Sequence, residues 1–374
     1  MDAPFTRRGF LPADDPQRSF AADSDLALLD EVGRDLPSPL HDPGFRKFAR
    51  ELVVPAWPAK WTGAEWLPAL RLYYLRLGFL ASAYVNQVGQ PRATILPRNL
   101  ALPLCQACRL LGRPPILSYD GYALYNWKRF DPRGPIALGN IDTLQNFVHL
   151  YDERWFILVH VEIEAIAAEI LAAIVKVQDA LSLPLSIASG ERGRSEGEQQ
   201  INAALKVIAD AVRRQVGVLA RIPEKMDPSL YYEKFRPYIR FFENVVYEGV
   251  PDVPIHHRGE TGAQSSIMPL LIAFMKIDHK PSKLTDHLAD MRNFMPAEHR
   301  AVIAEVQGLP SIRDLAAKDA FNEVLEAMAT FREVHLRWAK EYIQRWEDDP
   351  RGTGGTPYMK WLKQLIDETR GHKK

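Results

Sequence analysis

Residues 153–182 read ERWFILVHVEIEAIAAEILAAIVKVQDALS, and this stretch decides the fold class. No proline interrupts it, and apolar residues occupy nearly every face of the helix that it would form. Such a pattern predicts a helix that is buried on most of its sides. A helix of this kind belongs inside a large helical domain.

The chain on either side of this stretch divides by its proline content. Residues 1–145 are rich in proline, whereas only Pro184 lies between 137 and 222. Because proline breaks helices, the first part should hold short helices, turns and a small strand or two. We therefore predict a mainly α protein with a small irregular N-terminal domain over 1–145, containing few short strands, and a large, all-helical bundle domain over 146–374.

Further helices are predicted downstream from apolar periodicity and capping residues. Asp227 followed by Pro228, and Thr356 followed by Pro357, are typical of a cap and a first helical position. The predicted segments are 195–221, 227–242, 264–277, 311–346 (one helix or a pair) and 356–370.

Composition excludes several classes of function. Lys plus Arg and Asp plus Glu both number 47, and this neutral balance argues against binding to nucleic acid or to an anionic membrane surface. The sequence contains no run of 18 or more apolar residues, so no membrane span is predicted. The arginine pair at 7–8 is followed by Pro12 and acidic residues rather than by an apolar export segment, so we expect an ordinary extended segment there and a cytoplasmic protein.

The two cysteines, Cys105 and Cys108, form a CxxC pair. A zinc site would need a second pair or histidines at ligand spacing, and no βαβ pattern surrounds the pair. We therefore expect two unlinked thiols in a reducing compartment.

His335 lies on the apolar face of a predicted helix. Apolar residues recur at three- and four-residue spacing around it. The imidazole could be a core histidine satisfied by a carbonyl, or an axial ligand to haem, whose flat apolar ring needs such a wall. Arg332, one turn earlier, could reach a haem propionate or could be a solvated surface residue.

Three other features could carry chemistry. Phe156, His160 and Glu164 fall on one side of the 153–182 helix, either as an internal hydrogen-bonded network or as a ligand pocket. Arg236, flanked by aromatic residues, could pair with a carboxylate or lie at the surface. The GTGGT stretch at 352–356 lacks the spacing of a phosphate loop and alone predicts a linker.

Six segments, in order, resemble the indoleamine 2,3-dioxygenase family. They are RGFLP at 8–12, PPILSY at 114–119 through Asn126-Trp127, GETGAQSS at 259–266, MRNFMPAEHR at 291–300, FREVH at 331–335 and GTGGT at 352–356. The resemblance implies two helical domains with haem b between them, active in the ferrous state, the smaller domain covering the distal side. It also implies that both atoms of O2 enter the indole ring, so that L-tryptophan, or a related indoleamine, gives N-formylkynurenine.

The resemblance assigns expected roles to individual residues. On the cofactor, His335 is the proximal iron ligand and Arg332 the propionate partner. On the distal side, Phe156 packs on the indole and His160 hydrogen-bonds its N–H or orients a water. Arg236 holds the substrate carboxylate. The remaining expected pocket residues are Tyr119, Tyr122, Ala123, Tyr231, Tyr232, Thr261, Gly262 and, in a mobile loop, Thr353.

Three positions depart from the animal enzymes of this family. Glu260 places a carboxylate in the loop over the haem edge, His160 replaces a serine, and Ile272 replaces an acidic residue that steadies the equivalent of Arg332. Besides substrate and O2, the resemblance implies an electron donor that keeps haem ferrous and a monomer or small homo-oligomer.

Other functions are compatible with the same residues. One is a different oxidation or rearrangement of an indole on the same scaffold, for which Glu260 and the Tyr231-Tyr232 pair leave room. Another is a haem protein that senses or stores a diatomic ligand without turnover, and a last one is a purely structural helical protein without haem.

Overall fold

A computed structural model describes residues 3–182, 190–250, 255–346 and 358–374. The helices in these ranges are α1 (Ala3–Arg8), α2 (Ala27–Asp35), α3 (Phe45–Glu51), α4 (Leu67–Val85), α5 (Arg98–Leu110), α6 (Tyr151–Ser182), α7 (Gly190–Leu219), α8 (Pro228–Leu230), α9 (Ile267–Met275), α10 (Lys283–Arg292), α11 (Ala297–Gln307), α12 (Lys318–Tyr342) and α13 (Tyr358–Gly371). The mainly α class is confirmed.

The predicted central helix is α6, and it is buried along its length. It packs against α7, which also packs against α12, while α13 packs on α12. The amphipathic segment at 195–221 and the segment at 311–346 correspond to α7 and α12, the latter followed by a single turn at Gln344–Trp346. These four helices frame the interior of the large helical part.

The N-terminal segment, which the sequence predicts to be extended, begins with a helix. Residues Ala3–Arg8, which include the arginine pair, form α1, which packs on α6. Gly9 then has a φ of 65°, and a Cβ there would overlap the carbonyl oxygen of Glu164. Glycine therefore allows the RGFLP segment to lie directly on the backbone of α6.

The proline-rich first part contains one long helix, α4, whose residues are almost all buried. This helix fits between Pro68, at its first turn, and Pro91. The other helices in this part are short, as predicted.

The part of the chain that the structure describes contains five short strands: β1 (Ile95–Leu96), β2 (Lys128–Arg129), β3 (Ile141–Asp142), β4 (Phe242–Tyr247) and β5 (Ile255–His257). The order in the larger sheet is β1-β4-β5, with β1 parallel and β5 antiparallel to β4. Strands β2 and β3 pair antiparallel. Since β4 and β5 lie within 146–374, the expectation that this part is all-helical is wrong.

The prediction of one helix over 227–242 is also wrong. Asp227 caps a helix start by accepting from the amides of Ser229 and Leu230, as predicted. The chain then passes through a π turn at Tyr231–Phe235 and a 3-10 turn at Arg236–Ile239 before β4. Pro237 has no amide hydrogen to continue a regular helix, which explains the interruption.

The cysteines, the helix at 264–277 and the question of a membrane span can also be compared with the predictions. Cys105 and Cys108 are free thiols, as expected. The helix predicted at 264–277 is shorter, Ile267–Met275. Within the described ranges, no helix combines the length and apolar character that crossing a membrane requires.

Candidate functional site

A cavity of about 570 Å³ lies between α6 and α12. This volume falls within the range typical of ligand and cofactor pockets, about 300–1,000 Å³. Helix α6 lines it with Phe156, His160 and Ile163, and α12 lines it with Phe331, Arg332, His335, Trp338, Ala339 and Tyr342. Many of the other lining residues are apolar side chains from α9, α10 and α13. The cavity thus joins the two helices that carry the predicted histidines.

His335 faces this cavity without a hydrogen-bond partner among the described residues. Burial lowers the pKa of its imidazole to about 4, and the nearby His160 lowers it further. The ring is therefore neutral at physiological pH and keeps a nitrogen lone pair for a ligand. A core histidine satisfied by a protein carbonyl, the alternative left open above, does not describe this side chain.

His160 lines the same cavity from α6. Its Nδ1 lies 2.7 Å from the Phe156 carbonyl oxygen, and burial lowers the pKa of the ring. Because a carbonyl oxygen only accepts, Nδ1 must carry the proton of the neutral ring. Nε2 is then a hydrogen-bond acceptor. The Phe156 ring packs on this imidazole with centroids 4.6 Å apart.

Arg332 is 4% exposed and also lines the cavity. Its Nη1 donates to the Leu365 carbonyl oxygen at 2.8 Å and to the hydroxyl of Thr369, both on α13. Burial lowers the pKa of the guanidinium to about 10, so it stays charged at neutral pH. Ile272, which stands where an acidic residue was expected to steady this arginine, lines the cavity instead.

A buried hydrogen-bond network lies at the cavity wall beside Tyr119. The Glu164 carboxyl accepts from the Tyr119 hydroxyl at 2.8 Å and from the Ser265 hydroxyl at 2.6 Å. Burial raises the pKa of Glu164 to about 7 despite these two donors. Burial, and then the nearby Glu164, hold the pKa of Tyr119 well above its usual value. Glu164 is therefore part of the internal network that the sequence left as one alternative, while Tyr119 faces the cavity.

The 259–266 segment is fixed by Gln264. Its side-chain oxygen accepts from the Tyr119 amide, and its side-chain nitrogen donates to the Gly259 carbonyl, both at 2.9 Å. This holds Thr261 and Gly262 at the cavity wall, where they were expected. The same segment reaches α11 through Ser266, whose hydroxyl lies 3.1 Å from His299 Nδ1.

The motifs that suggested a family therefore meet in space. The ring of Phe10, from RGFLP, lies 4.8 Å from that of His299, from MRNFMPAEHR, and His299 contacts Ser266 of GETGAQSS. Gln264 of GETGAQSS in turn holds Tyr119 of PPILSY. Four separate segments of sequence therefore pack together, and three of them contribute residues to the cavity wall: Tyr119, Thr261 and Arg292 are examples.

The expected substrate residues are divided between the cavity wall and the layer behind it. Tyr231 lines the cavity, and its ring centroid lies 5.6 Å from that of Phe156. Arg236, 1% exposed, is not a lining residue. Its guanidinium lies 5.2 Å from the Tyr232 ring centroid, and its charge opposes the rise in the pKa of Tyr231 that burial causes. Tyr232 stacks on Trp346.

Tyr122 and Ala123 are also buried behind the wall rather than lining it. The Tyr122 hydroxyl donates to Glu153 at 3.2 Å, and Glu153 accepts in turn from the amides of Phe147 and Val148. Thr353 and the rest of GTGGT lie outside the described residues. The sequence did not identify Thr369, Ser265 or Gln264, because their partners are distant in the chain and no local pattern marks them.

A second, open groove of about 790 Å³ lies near Cys105. Arg50, Arg98, Arg109 and Glu248 are among its lining residues, and none of the expected site residues reaches it. Burial raises the pKa of the Cys105 thiol to about 11, which leaves it a weak nucleophile. This groove is therefore not the candidate active site.

Comparison with known proteins gives a consistent result. The family profile described as indoleamine 2,3-dioxygenase matches residues 5–345. Indoleamine 2,3-dioxygenase 1 of Rattus norvegicus is 30% identical over 332 residues, covering 80% of this chain and 79% of the relative. Indoleamine 2,3-dioxygenase 2 of Homo sapiens is 29% identical, covering 80% and 78%. A protein named myoglobin from Haliotis madaka is 27% identical, covering 80% of each chain.

Proposed function

Because the chain belongs to the indoleamine 2,3-dioxygenase family, and is therefore an oxidoreductase of the dioxygenase class, we propose that it cleaves the C2–C3 bond of L-tryptophan, or a related indoleamine, with O2 to give N-formylkynurenine. The observation that carries the proposal is the neutral imidazole of His335, which has no hydrogen-bond partner among the described residues and shares one cavity with His160.

The residues around the cavity fit haem b, on which the family depends. His335 would be the proximal ligand, since its imidazole is neutral and makes no hydrogen bond to a described residue. Arg332, held by Nη1 to α13, faces the cavity and would pair with a propionate. Haem bound between these walls would supply the redox chemistry by which O2 reacts with the indole ring.

The distal side would orient the indole. Phe156 lies against His160 and offers a flat apolar surface for the ring. Since Nδ1 of His160 is protonated, its Nε2 can accept a hydrogen bond from the indole N–H. Tyr119, whose hydroxyl is already held by Glu164, and Ile163 fill the wall and exclude water from the reacting ring.

The amino-acid end of the substrate would lie near Tyr231. In this proposal Arg236, behind Tyr231 and Tyr232, binds the carboxylate after a small rotation of these rings. Thr261 and Gly262 would border the haem edge, and Thr353 would belong to a loop that closes on substrate. Tyr122 and Ala123 would support the pocket from behind its wall.

Further parts of the proposal concern the cell and the assembly. Two free thiols agree with a reducing compartment, which we take to be the cytoplasm. There an electron donor would keep haem ferrous, and the protein would act as a monomer or small homo-oligomer. The smaller 1–145 part and the larger 146–374 part would form two domains on either side of haem.

A second candidate is oxygen binding without turnover. It is favoured by one observation, the relative named myoglobin, which matches as much of the chain as the dioxygenases do. A further alternative on the same scaffold is another oxidation of an indole. Product mass separates these cases, because two added oxygen atoms indicate a dioxygenase and one a monooxygenase.

The test is an absorption spectrum of the purified protein, reduced and under air, before and after addition of L-tryptophan. The proposal predicts a haem Soret band, a change on adding L-tryptophan, and growth of N-formylkynurenine absorbance. A Soret band that binds O2 but yields no product would favour the oxygen-binding candidate. The lack of a Soret band would reject both.

A further inference from the structure

Glu260 is a buried carboxyl that the described structure leaves without a donor. Its side chain is 3% exposed and lines the cavity between α6 and α12. No described side chain or amide donates a hydrogen bond to it, and no described cation pairs with it. A carboxyl in such a place is costly to ionise unless a ligand brings a donor or a positive charge.

The backbone around Glu260 is locked onto the segment that carries Arg236. The Glu260 amide donates to the Ile239 carbonyl oxygen at 3.0 Å. A Cβ at Gly259 would overlap the backbone of Ile239, Arg240 and Phe241, so only glycine permits this approach. Glu260 is therefore held beside the 3-10 turn Arg236–Ile239, at the Tyr231 end of the cavity.

Tyr231 lies within electrostatic reach of both an arginine and a carboxyl. Burial is the main cause that raises the pKa of Tyr231, the positive charge of Arg236 opposes this rise, and the negative charge of Glu260 adds to it. The negative charge of Glu260 also helps to raise the pKa values of Tyr119 and Tyr122. However, the Tyr119 hydroxyl already donates to Glu164, and the Tyr122 hydroxyl donates to Glu153. A carboxyl on the cavity wall and an arginine behind the wall therefore lie within electrostatic reach of the same tyrosine.

We propose that Glu260 binds the α-ammonium group of the substrate, so that the pocket selects a zwitterionic amino acid rather than an indole acid. This inference rests on the proposed function, in which Arg236 takes the carboxylate. The ammonium and carboxylate of an amino acid are borne by the same carbon, so their partners must lie on neighbouring parts of the pocket, and the bond from the Glu260 amide to Ile239 holds Glu260 beside the turn that begins at Arg236. The indole N–H lies at the other end of the substrate, toward His160.

The ammonium group would supply the hydrogen-bond donors and the positive charge that Glu260 does not receive from the described residues. It carries three N–H donors and a positive charge, whereas an indole N–H carries one donor and no charge. Charge-assisted hydrogen bonds of this type are about twice as strong as neutral ones. Glu260 is thus a specificity-determining residue, and its partner is a primary ammonium.

The experiment compares three ligands by calorimetric titration without reductant, so that no turnover is needed. L-Tryptophan has both charged groups, tryptamine lacks the carboxylate, and indole-3-propionate lacks the ammonium. For Glu260→Gln we expect L-tryptophan and tryptamine to bind about tenfold more weakly, from the usual strength of a hydrogen bond to a charged group. Indole-3-propionate should bind as well as before or better. Glu243→Gln, at an exposed carboxylate, is the matched control.

Each other result overturns the inference. Equal weakening of all three ligands would place Glu260 at the indole ring or in the fold, and unchanged binding would remove it from recognition altogether. Failure of L-tryptophan to bind the unaltered protein would also overturn it. The proposed function is judged separately by N-formylkynurenine formation: ammonium-selective binding without product would retain the role of Glu260 and reject the dioxygenase reaction.

Discussion

Arg332 on α12 donates from Nη1 to the hydroxyl of Thr369 on α13, 37 residues later in the chain. The same hydroxyl donates to the Leu365 carbonyl oxygen at 2.6 Å, and Thr369 is fully buried. Because the acceptor is fixed by its own bond within α13, it fixes the arginine in turn. The C-terminal helix thus supplies the support that Ile272, an apolar residue, cannot give.

Thr369→Val should loosen Arg332 and weaken haem binding. The substitution keeps the shape of the side chain but removes one acceptor from a buried guanidinium, which costs about 1–3 kcal/mol. We expect haem to dissociate from the variant about tenfold faster, measured as the rate at which added apomyoglobin takes up the released haem. Thr330→Val is the control, since the Thr330 hydroxyl bonds a carbonyl one turn earlier in its own helix, as that of Thr369 does, without touching Arg332. Equal rates for the two variants would show that Thr369 does not support the cofactor arginine.

The contrast between α6 and the 227–242 segment shows how far the sequence predicts this fold. Helix α6 is recognised because its pattern is local: an uninterrupted run whose apolar residues cover every face. In 227–242, the capping signal at Asp227 is equally local and is confirmed. The strand that follows, β4, pairs with β5, which lies close behind it, and with β1, which lies in the first part of the chain and which no local pattern indicates as a partner.

The candidate site follows the same division. His335 and His160 could be chosen because each lies on a recognisable face of a long helix, and both reach the cavity. Thr369, Ser265 and Gln264 act through partners 37 to 145 residues away. No periodicity marks such partners. The placement of Arg236 behind Tyr231, rather than at the wall, likewise depends on a turn that periodicity did not predict.

His335→Ala should abolish haem binding. The imidazole is the expected iron ligand, and alanine leaves no donor at that position. The Soret absorbance per protein should fall by at least tenfold, and added imidazole should restore part of it by entering the space vacated. His41→Ala, at an exposed histidine, controls for the loss of an imidazole elsewhere. Full retention of haem by His335→Ala would reject the assignment.

His160→Ser should retain haem but lower the turnover rate. Serine can still accept a hydrogen bond but is shorter than the imidazole whose Nδ1 is fixed on Phe156. We expect a several-fold fall in kcat with a normal haem content. A variant with unchanged kcat would show that His160 does not orient the substrate, whereas loss of haem would indicate a structural role.

The rate should not follow a histidine titration near pH 6.5. Burial lowers the pKa of His160 below its ordinary 6.5 and lowers that of His335 to about 4, so both rings are mainly neutral at neutral pH. We therefore expect kcat to show no transition centred at pH 6.5, with any decline from a protonated His160 below that pH. A transition centred near pH 6.5 that disappears in His160→Ser would contradict the burial of this ring.

Gly9→Ala should destabilise the protein and disturb the site. Gly9 has a φ of 65°, and its missing Cβ makes room for the Glu164 carbonyl of α6. Alanine would force α1 and the RGFLP segment away from α6, at a cost of about 2–4 kcal/mol in the free energy of unfolding. Denaturant titration measures this cost. Gly89→Ala is a useful comparison, because Gly89 also has positive φ but no atom lies near its absent Cβ. Equal losses would assign the effect to backbone conformation alone.

Glu260→Gln should change how stability depends on pH. Burial raises the pKa of Glu260 from its ordinary 4.5 to about 8, so the folded protein binds this proton more tightly than the unfolded chain. The stabilisation from the protonated carboxyl is therefore fully present below pH 4.5 and is lost as pH rises toward 8. Glutamine cannot ionise, so the variant should become the more stable protein with rising pH, by up to about 5 kcal/mol.

Thermal unfolding from pH 4.5 to 9 measures the difference in stability between the unaltered protein and Glu260→Gln. Burial also raises the pKa values of Glu153 and Glu164, but both residues are present in both proteins, so their contributions cancel in this difference. L-Tryptophan adds a sharper condition. If its ammonium pairs with Glu260, ligand should stabilise the ionised carboxylate, and the advantage of the glutamine variant at high pH should shrink in its presence. Tryptamine should act in the same direction and indole-3-propionate should not. A stability difference that is independent of pH would mean that the Glu260 carboxyl is solvated in the folded protein, and the charge argument for the pocket would then be lost.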